Sequence, residues 1–225
     1  MKAVQGFQIS KGYHHFQVLR EVSFEVEEGE CFALFGPNGA GKTTLLKILS
    51  TLQRPTSGTF QMMGLDGVKD RDKVRNLFLL VGHGSYLYNE LDALENINFS
   101  LALRGISRTD QEVKKALDRV DIGPFARFKV RAFSEGMKKR LAMAKTILVH
   151  PKVLLLDEPY SALDESGMGL VNQFMKDITE QGTAILMTTH NRTKTAEVAH
   201  RAACLQQGVM KEIAVQELVE AHELF

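Results

Sequence analysis

The fold is decided by residues 31–44, which read CFALFGPNGAGKTT. The first five residues, Cys31 to Phe35, are all apolar and predict a buried β-strand. From Lys42 to Leu52, apolar residues recur at the spacing of one helix face, which predicts a helix. A glycine-rich turn separates the two elements, so the sequence indicates a strand, a glycine loop and a helix in succession.

The glycine-rich turn matches the phosphate-binding pattern G-x-x-x-x-G-K-[ST] in the strand-to-helix context that the pattern requires. In such a loop, backbone N–H groups and the positive end of the helix form a cradle for phosphate, while the lysine reaches the outer phosphates. The hydroxyl of the last residue can ligate Mg²⁺. The alternative is an accidental glycine-rich turn, which the context disfavours. The loop residues are Gly36, Pro37, Asn38, Gly39, Ala40, Gly41, Lys42 and Thr43.

The rest of the chain divides by its hydrophobic patterns. Alternating apolar and polar positions, as in Val22–Val26, predict a half-exposed hairpin that leads into the buried strand. Residues from about 91 to 149 carry helical patterns without strands, with a capping box at Thr109–Glu112 and an N-cap at Ser134. Beyond Pro151, apolar strands alternate with helices again, which is typical of a parallel sheet covered on both faces.

These patterns predict one domain over residues 1–225, without a linker long enough to separate independent units. The core and a β subdomain are expected from about 1–90 and 150–225, and a helical subdomain from about 91–149.

Two carboxylates follow the apolar strand Val153–Leu156, at the edge where parallel sheets bind their ligands. Asp157 is suited to hold Mg²⁺, and Glu158 can polarise the water that attacks the γ-phosphorus. The alternative is a pair of acids that merely end a strand. His190 ends the next apolar strand at the same edge, where its ring could orient this water or stabilise charge on the phosphate.

Composition excludes several function classes. The chain has 28 basic and 27 acidic side chains, and this balance argues against a nucleic-acid partner. The sequence shows no apolar run as long as the ~18 residues of a membrane span, and no signal-peptide core. We therefore expect a cytoplasmic protein that reaches a membrane only by docking on a protein that spans it.

Together, the motifs resemble the nucleotide-binding domain of ABC transporters over essentially the whole chain. The resemblance rests on their order: the phosphate loop through Thr44, the helical insertion, a signature motif at Phe133–Met137, the aspartate strand with Glu158, the loop Ser161–Asp164 and His190. It implies an α/β fold with a P-loop NTPase (RecA-like) core, an N-terminal antiparallel β subdomain and a helical insertion.

The resemblance also implies an ATPase that binds ATP and Mg²⁺ and works as a homodimer. Each ATP would lie between the phosphate loop of one subunit and the signature residues Ser134 and Gly136 of the other. Thr44 would join the nucleotide-binding loop, and Thr43 and Asp157 would hold the metal. Tyr13 stands where the family places an aromatic residue that stacks on adenine, although a core-packing tyrosine is the alternative.

The sequence departs from the family pattern at three places. His83 stands where glutamine is usual. Because imidazole is a poor Mg²⁺ ligand, we expect His83 to serve coupling to a membrane partner or placement of water more than metal binding. The signature carries Glu135 and Met137 in place of glycine and glutamine. The extra carboxylate predicts slow ATP hydrolysis by the isolated chain unless Lys138, Lys139 or Arg140 compensates its charge. His200 stands where many relatives carry aspartate.

The stretches Val81–Ser85 and Glu90–Asn96 resemble the ATPase subunit of haem exporters in cytochrome c maturation. The Ser-x-Gly-Met signature is also similar to other exporters whose membrane subunit is a separate chain, so another small exporter is an open alternative. The leading hypothesis is thus the ATP-hydrolysing motor subunit of a membrane transporter, with a separate multi-span subunit as its partner. A soluble ABC-type ATPase in metallocluster assembly is the alternative. A GTPase is disfavoured because the Asn-Lys-x-Asp base-reading motif is absent from the sequence.

Overall fold

Two β-sheets organise the protein, and a computed structural model describes residues 1–82 and 87–220. The first sheet consists of β1 (Lys2–Tyr13), β2 (Phe16–Glu27), β4 (Ser57–Met62) and β5 (Leu65–Asp66). The second consists of β3 (Cys31–Phe35), β6 (Phe78–Val81), β7 (Val153–Asp157), β8 (Ala184–Thr188), β9 (Arg201–Gln206) and β10 (Val209–Ile213). Their strand orders are β2-β1-β4-β5 and β10-β9-β3-β8-β7-β6.

The second sheet is parallel except for its edge strand β10, which pairs antiparallel with β9. Its central strands are buried along most of their length, as the apolar sequence predicts. Because the strands are parallel, β3, β7 and β8 all end at one edge of the sheet. The phosphate loop, the carboxylate pair and His190 follow these three strands, so the topology brings them to the same edge.

The first sheet is antiparallel and begins with the predicted hairpin, whose turn is His14-His15. Both histidines therefore lie in the turn and not within a strand. After β2, a turn at Glu27–Glu30 carries the chain into β3 of the other sheet, where the Glu30 carbonyl accepts the Ile185 N–H of β8.

Helices cover the second sheet and fill the predicted insertion. Residues 91–149 hold three of them, two capped by Thr109 and Ser134 as predicted and one by a further capping box at Asp92 and Glu95. The helices are α1 (Lys42–Leu49), α2 (Arg71–Arg75), α3 (Ala93–Ala102), α4 (Asp110–Arg119), α5 (Glu135–Val149), α6 (Glu165–Glu180), α7 (Arg192–Ala196) and α8 (Glu217–Glu220). Within the described ranges, no helix is long and apolar enough to cross a membrane.

The core forms two apolar layers, one on each face of the second sheet. Along β3, Ala33 and Phe35 belong to the layer that contains residues of α3, α5 and α6. Phe32 and Leu34 belong to the layer formed with α1 and the first sheet. Since β3 is buried on both faces, the loop that follows it starts from a rigid support.

Candidate active site

The phosphate loop lies between β3 and α1 and depends on glycine at two positions in particular. Gly36 has a φ of 146°, and a Cβ added there would lie 2.2 Å from the Leu205 carbonyl oxygen. Gly41 has a φ of 108°, and a Cβ there would lie 2.8 Å from a methyl carbon of Leu19. Only glycine fits these positions without a shift of the neighbouring strands.

Lys42 is buried and folds back across the loop. Its ammonium donates to the carbonyl oxygens of Gly36, at 2.6 Å, and Pro37, at 3.1 Å. The first N–H groups of α1 receive no side-chain cap, which leaves them available to an anion. Residues 38–44 line a cavity of about 350 Å³ together with Val18, Asp157 and Glu158. The loop therefore offers N–H donors and one cation to a phosphate chain.

Asp157 and Thr43 provide the oxygen ligands expected for Mg²⁺. The Thr43 hydroxyl donates to Oδ2 of Asp157 at 3.2 Å. Thr188 donates its hydroxyl to the other carboxylate oxygen, Oδ1, at 2.6 Å and so orients the carboxylate. A hydroxyl and a carboxylate beside a phosphate cradle fit a hard cation that retains part of its water shell.

Glu158 has a φ of 54°, in the left-handed region that costs a non-glycine residue about 1–3 kcal/mol. Its N–H donates to the Thr188 carbonyl at 3.0 Å. Its side chain is 17% exposed, whereas that of His190 is 75% exposed. The His190 Nδ1 lies 2.8 Å from the Glu158 Oε2, but the angles do not meet those of a hydrogen bond, and Oε2 has no hydrogen-bond donor among the described residues.

Glu158 and His190 face the phosphate loop across a second cavity of about 620 Å³. Gly36, Pro37 and Asn38 also line this cavity. Since Asn38 and Glu158 border both cavities, the acid, the histidine and the loop belong to one site.

The signature residues are absent from the walls of both cavities. Ser134 caps α5, with its Oγ accepting the Met137 N–H at 3.2 Å. A Cβ at Gly136 would lie 3.4 Å from Leu163, so the first turn of α5 packs against the loop that follows Glu158. Glu135 forms an ion pair with Lys138 at 2.8 Å, which supplies the charge compensation that the sequence required.

Tyr13 lies at the end of β1, next to the hairpin turn, and is not among the residues that line the two cavities. Its hydroxyl donates to Gln53 at 2.8 Å, just beyond the end of α1, and its ring remains 41% exposed. The Lys11 ammonium lies 5.2 Å from the ring centroid. An exposed ring of this kind is not a core-packing tyrosine. His83 lies outside the described residues.

Two residues gain roles that the sequence did not reveal. Lys139, considered only as a charge partner for Glu135, directs its ammonium at the turn that carries Glu158. The Nδ1 of His200 accepts a hydrogen bond from the backbone N–H of Cys31 at 3.0 Å. The backbone N–H of His200 donates to the carbonyl oxygen of Cys31 at 2.8 Å. The imidazole nitrogen thus provides a hydrogen-bond acceptor for the first backbone N–H of β3, which accounts for a histidine at this position.

Comparison with known proteins defines the class. The model of the ABC transporter family matches residues 19–161, and the chain belongs to this family. It is 35% identical over 202 residues to the uncharacterized ABC transporter ATP-binding protein YxlF of Bacillus subtilis, over 89% of this chain and 66% of that protein. It is 34% identical over 200 residues to the daunorubicin resistance ATP-binding protein DrrA3 of Streptomyces coeruleorubidus, over 88% of this chain and 63% of that protein.

Sulfate/thiosulfate import proteins named CysA also match, one from Mesorhizobium japonicum at 32% identity over 91% of this chain and 61% of that protein. The chain thus spans just under two thirds of the length of these relatives.

Solved structures agree with the family. An ATP-binding subunit of an ABC transporter superposes with a TM-score of 0.85 at 25% identity, covering 94% of this chain and 90% of that one. The cassette MJ0796, a dimer in a post-hydrolysis state bound to ADP and Pi, gives a TM-score of 0.86 at 25% identity, with 94% and 98% covered. The expected α/β architecture, with its antiparallel N-terminal sheet and helical region, is confirmed, and the chain carries an ABC ATPase domain.

Proposed function

We propose that this chain is the ATP-hydrolysing motor subunit of a membrane transporter and that two copies enclose two ATP molecules. The observation that carries this proposal is the division of the site within one chain. The phosphate loop, Asp157, Glu158 and His190 face one another, whereas Ser134 and Gly136 line neither cavity. In this proposal, the signature residues of a second copy complete the site by closing over the phosphates. Dimer formation has a precedent in the cassette MJ0796, which is described as a dimer bound to ADP and Pi.

Each residue of the site has a role that follows from its position. The loop N–H groups and Lys42 bind the phosphates, with Thr44 at the edge of the cradle. Thr43 and Asp157 hold Mg²⁺, which when bound neutralises charge on the phosphate oxygens. Tyr13 offers its exposed ring to adenine.

Hydrolysis follows from Glu158 and His190. The carboxylate of Glu158 accepts a proton from water as the water oxygen bonds to the γ-phosphorus and the bond from phosphorus to the ADP oxygen breaks. His190 stands beside the carboxylate and stabilises charge that develops on the transferred group.

A groove that shares no lining residue with the two cavities of the nucleotide site is a candidate docking site for a membrane subunit. It has a volume of about 580 Å³ and an apolar wall that includes Phe78, Tyr88 and Phe99. Lys145 lies at its floor, 4% exposed, and over residues 1–82 and 87–220 its ammonium makes no hydrogen bond or ion pair. Burial of this side chain lowers the pKa of the Lys145 ammonium to about 8, and a carboxylate brought into the groove by an amphipathic helix would favour its charged form.

The groove includes residues that follow the inferred coupling position closely in sequence. Leu87 and Tyr88 line it and directly follow the segment that contains His83. We assign coupling to this region and place the protein on the inner face of the cell membrane, held there by its partner.

The finer hypothesis of haem export rests on sequence alone, on the Gly82-His83 pair and the opening of α3 at Ala93–Asn96. The named relatives serve sulfate/thiosulfate import and daunorubicin resistance. Because these names differ in substrate and neither mentions haem, similarity to the relatives does not support haem in particular, and we infer that the membrane partner selects the transported substrate. A soluble ATPase of metallocluster assembly is the competing function.

The test uses Glu158→Gln, which should bind ATP without hydrolysing it and hold the closed dimer. Lys42→Ala is the matched control, since it removes the cation of the phosphate loop and should remain monomeric with ATP. The tagged Glu158→Gln chain is recovered from gently solubilised membranes with ATP and Mg²⁺, and its partners are identified by mass spectrometry. A stoichiometric multi-span protein supports the transporter, whereas soluble partners alone or a bare homodimer would favour the competing function.

A further inference from the structure

The turn that carries Glu158 has an unusual backbone, and Lys139 of α5 binds it. Glu158 and Ala162, four residues apart, both have φ values in the left-handed region, 54° and 58°. Neither is glycine, so the surrounding structure must hold the turn in this conformation. Within the turn, the Ser161 N–H and hydroxyl reach the Glu158 carbonyl at 3.3 and 3.1 Å.

The Lys139 ammonium supplies the external support. It donates to the carbonyl oxygens of Glu158, at 3.0 Å, and Pro159, at 2.9 Å. It also contacts the carbonyl oxygen of Ser161 and the Ser161 hydroxyl, the latter at 2.8 Å. Four acceptors surround three N–H donors, so one cation bridges three residues of the turn.

The surroundings of Lys139 make these contacts specific. Its side chain borders a small cavity of about 30 Å³ whose apolar lining includes Met143, Leu156 and Phe174. Burial against these residues lowers the pKa of the Lys139 ammonium to about 8, while Glu158 and Glu135 favour its charged form. An ammonium with little access to water depends on the turn for its hydrogen bonds, and the turn depends on the ammonium.

We propose that Lys139 is a positioning residue that fixes the turn carrying Glu158 and thereby sets the rate of ATP hydrolysis rather than the affinity for ATP. Lys139 lines neither cavity that faces the phosphate loop, whereas Glu158 lines both. A displaced turn therefore misplaces the carboxylate relative to the attacking water while the phosphate cradle stays intact. The proposal rests on hydrolysis through Glu158, as stated in the proposed function.

The experiment compares Lys139→Met with Lys114→Met, which alters an exposed lysine on α4. We expect Lys139→Met to lower kcat by about 10- to 100-fold, the effect of a small misplacement of a reacting group. The KM for ATP should change by less than about threefold, because ground-state binding is untouched. A wild-type kcat, or a rise in KM that accounts for the whole loss, would overturn the proposal.

Chemical rescue separates positioning from folding. Lys139→Cys should be as slow as Lys139→Met, and alkylation of its thiol with 2-bromoethylamine restores an ammonium at nearly the original position. We expect kcat to recover at least about tenfold, with wild type treated in parallel because Cys31 is buried and Cys204 half-buried. Absence of rescue, or a fall in Tm of more than about 10 °C with loss of ATP binding, would assign Lys139 to stability and overturn the proposal.

Glu158→Gln distinguishes this proposal from the function on which it rests. If Glu158→Gln still hydrolyses ATP at the wild-type rate, the assignment of Glu158 is wrong. If Glu158→Gln is inactive but Lys139→Met is as fast as wild type, only the role of Lys139 is wrong.

Discussion

Lys139 and Lys145 lie six residues apart on α5, and burial lowers the pKa of both ammonium groups to about 8. At Lys139, the ammonium meets four oxygen acceptors on the turn that carries Glu158. At Lys145, it meets none within the described part of the chain, and Arg104 adds repulsion to the effect of burial. One helix thus places one ammonium against the turn that carries Glu158 and another, without a described acceptor, in the groove.

The difference shows that a lowered lysine pKa does not by itself reveal a function. Desolvation acts on both side chains, whereas the partners of each ammonium decide what it can do. The acceptors of Lys139 belong to this chain, so its effect should appear in the isolated protein. Lys145 lacks such acceptors, so its effect should depend on what fills the groove.

The largest expected effect concerns Glu158 and the Lys139 ammonium that binds its turn. Glu158→Gln should lower kcat about 1000-fold, since it removes the general base. Adding Lys139→Met to Glu158→Gln should cause almost no further loss, because the two residues act as one unit. Single-turnover measurements with radiolabelled ATP check this. Independent losses that multiply would separate Lys139 from Glu158.

A charge reversal at Lys145 tests whether the groove binds a partner that carries a carboxylate. Lys145→Glu should reduce recovery of the membrane partner at least about tenfold, since a buried pair then becomes a like-charge contact. Lys114→Glu, on the exposed face of α4, provides the control for surface charge. Recovery is measured by quantitative mass spectrometry after tag purification. Equal recovery of partner by both variants would exclude a carboxylate at Lys145.

Removal of the Lys145 charge should stabilise the isolated chain. Lys145→Met should raise the free energy of unfolding at pH 7 by about 1–3 kcal/mol, because it removes the cost of burying the ammonium and its repulsion from Arg104. Thermal melting should show a rise in Tm of about 2–4 °C per kcal/mol for a chain of this size. A lower Tm would mean that the ammonium has a stabilising partner.

Lys145→Met should also change how the free energy of unfolding depends on pH. The unfolded chain holds the Lys145 proton to about pH 10, whereas the folded chain releases it near pH 8. Between these values the unfolded state binds more protons, so the free energy of unfolding rises with pH. Denaturant titrations between pH 7.5 and 10 should show a shallower rise for Lys145→Met than for wild type. Parallel profiles would show that Lys145 titrates normally.

The smallest effect concerns His200, whose partner, like that of Lys139, lies within the chain. His200→Ala should lower the free energy of unfolding by about 1 kcal/mol, because it removes the acceptor of the Cys31 N–H. His200→Asn offers an amide oxygen to the same donor and should lose less. Chemical denaturation compares the two, and an equal loss would show that the hydrogen bond contributes little.

Local sequence patterns predicted most helices and strands of the fold, but the predicted ends of these elements differ from the observed ends by a few residues. The helix expected over Lys42–Leu52 ends at Leu49, followed by Thr51 with a φ of 58°. The sequence indicated the first hairpin but not the addition of β4, which pairs Val4 with Met62. Such pairing joins residues far apart in the chain and leaves no local periodicity to detect.

The sequence by itself determined the phosphate loop, the order of the motifs and the family, because each motif is a short pattern with its own spacing. Only the tertiary structure decided which groups meet Lys139, Lys145 and His200. Their partners or surroundings come from segments distant in sequence, such as Glu158 for Lys139 and Cys31 for His200. The sequence around a helical lysine does not show whether its ammonium has hydrogen-bond acceptors, since only folding brings acceptors from distant segments to it.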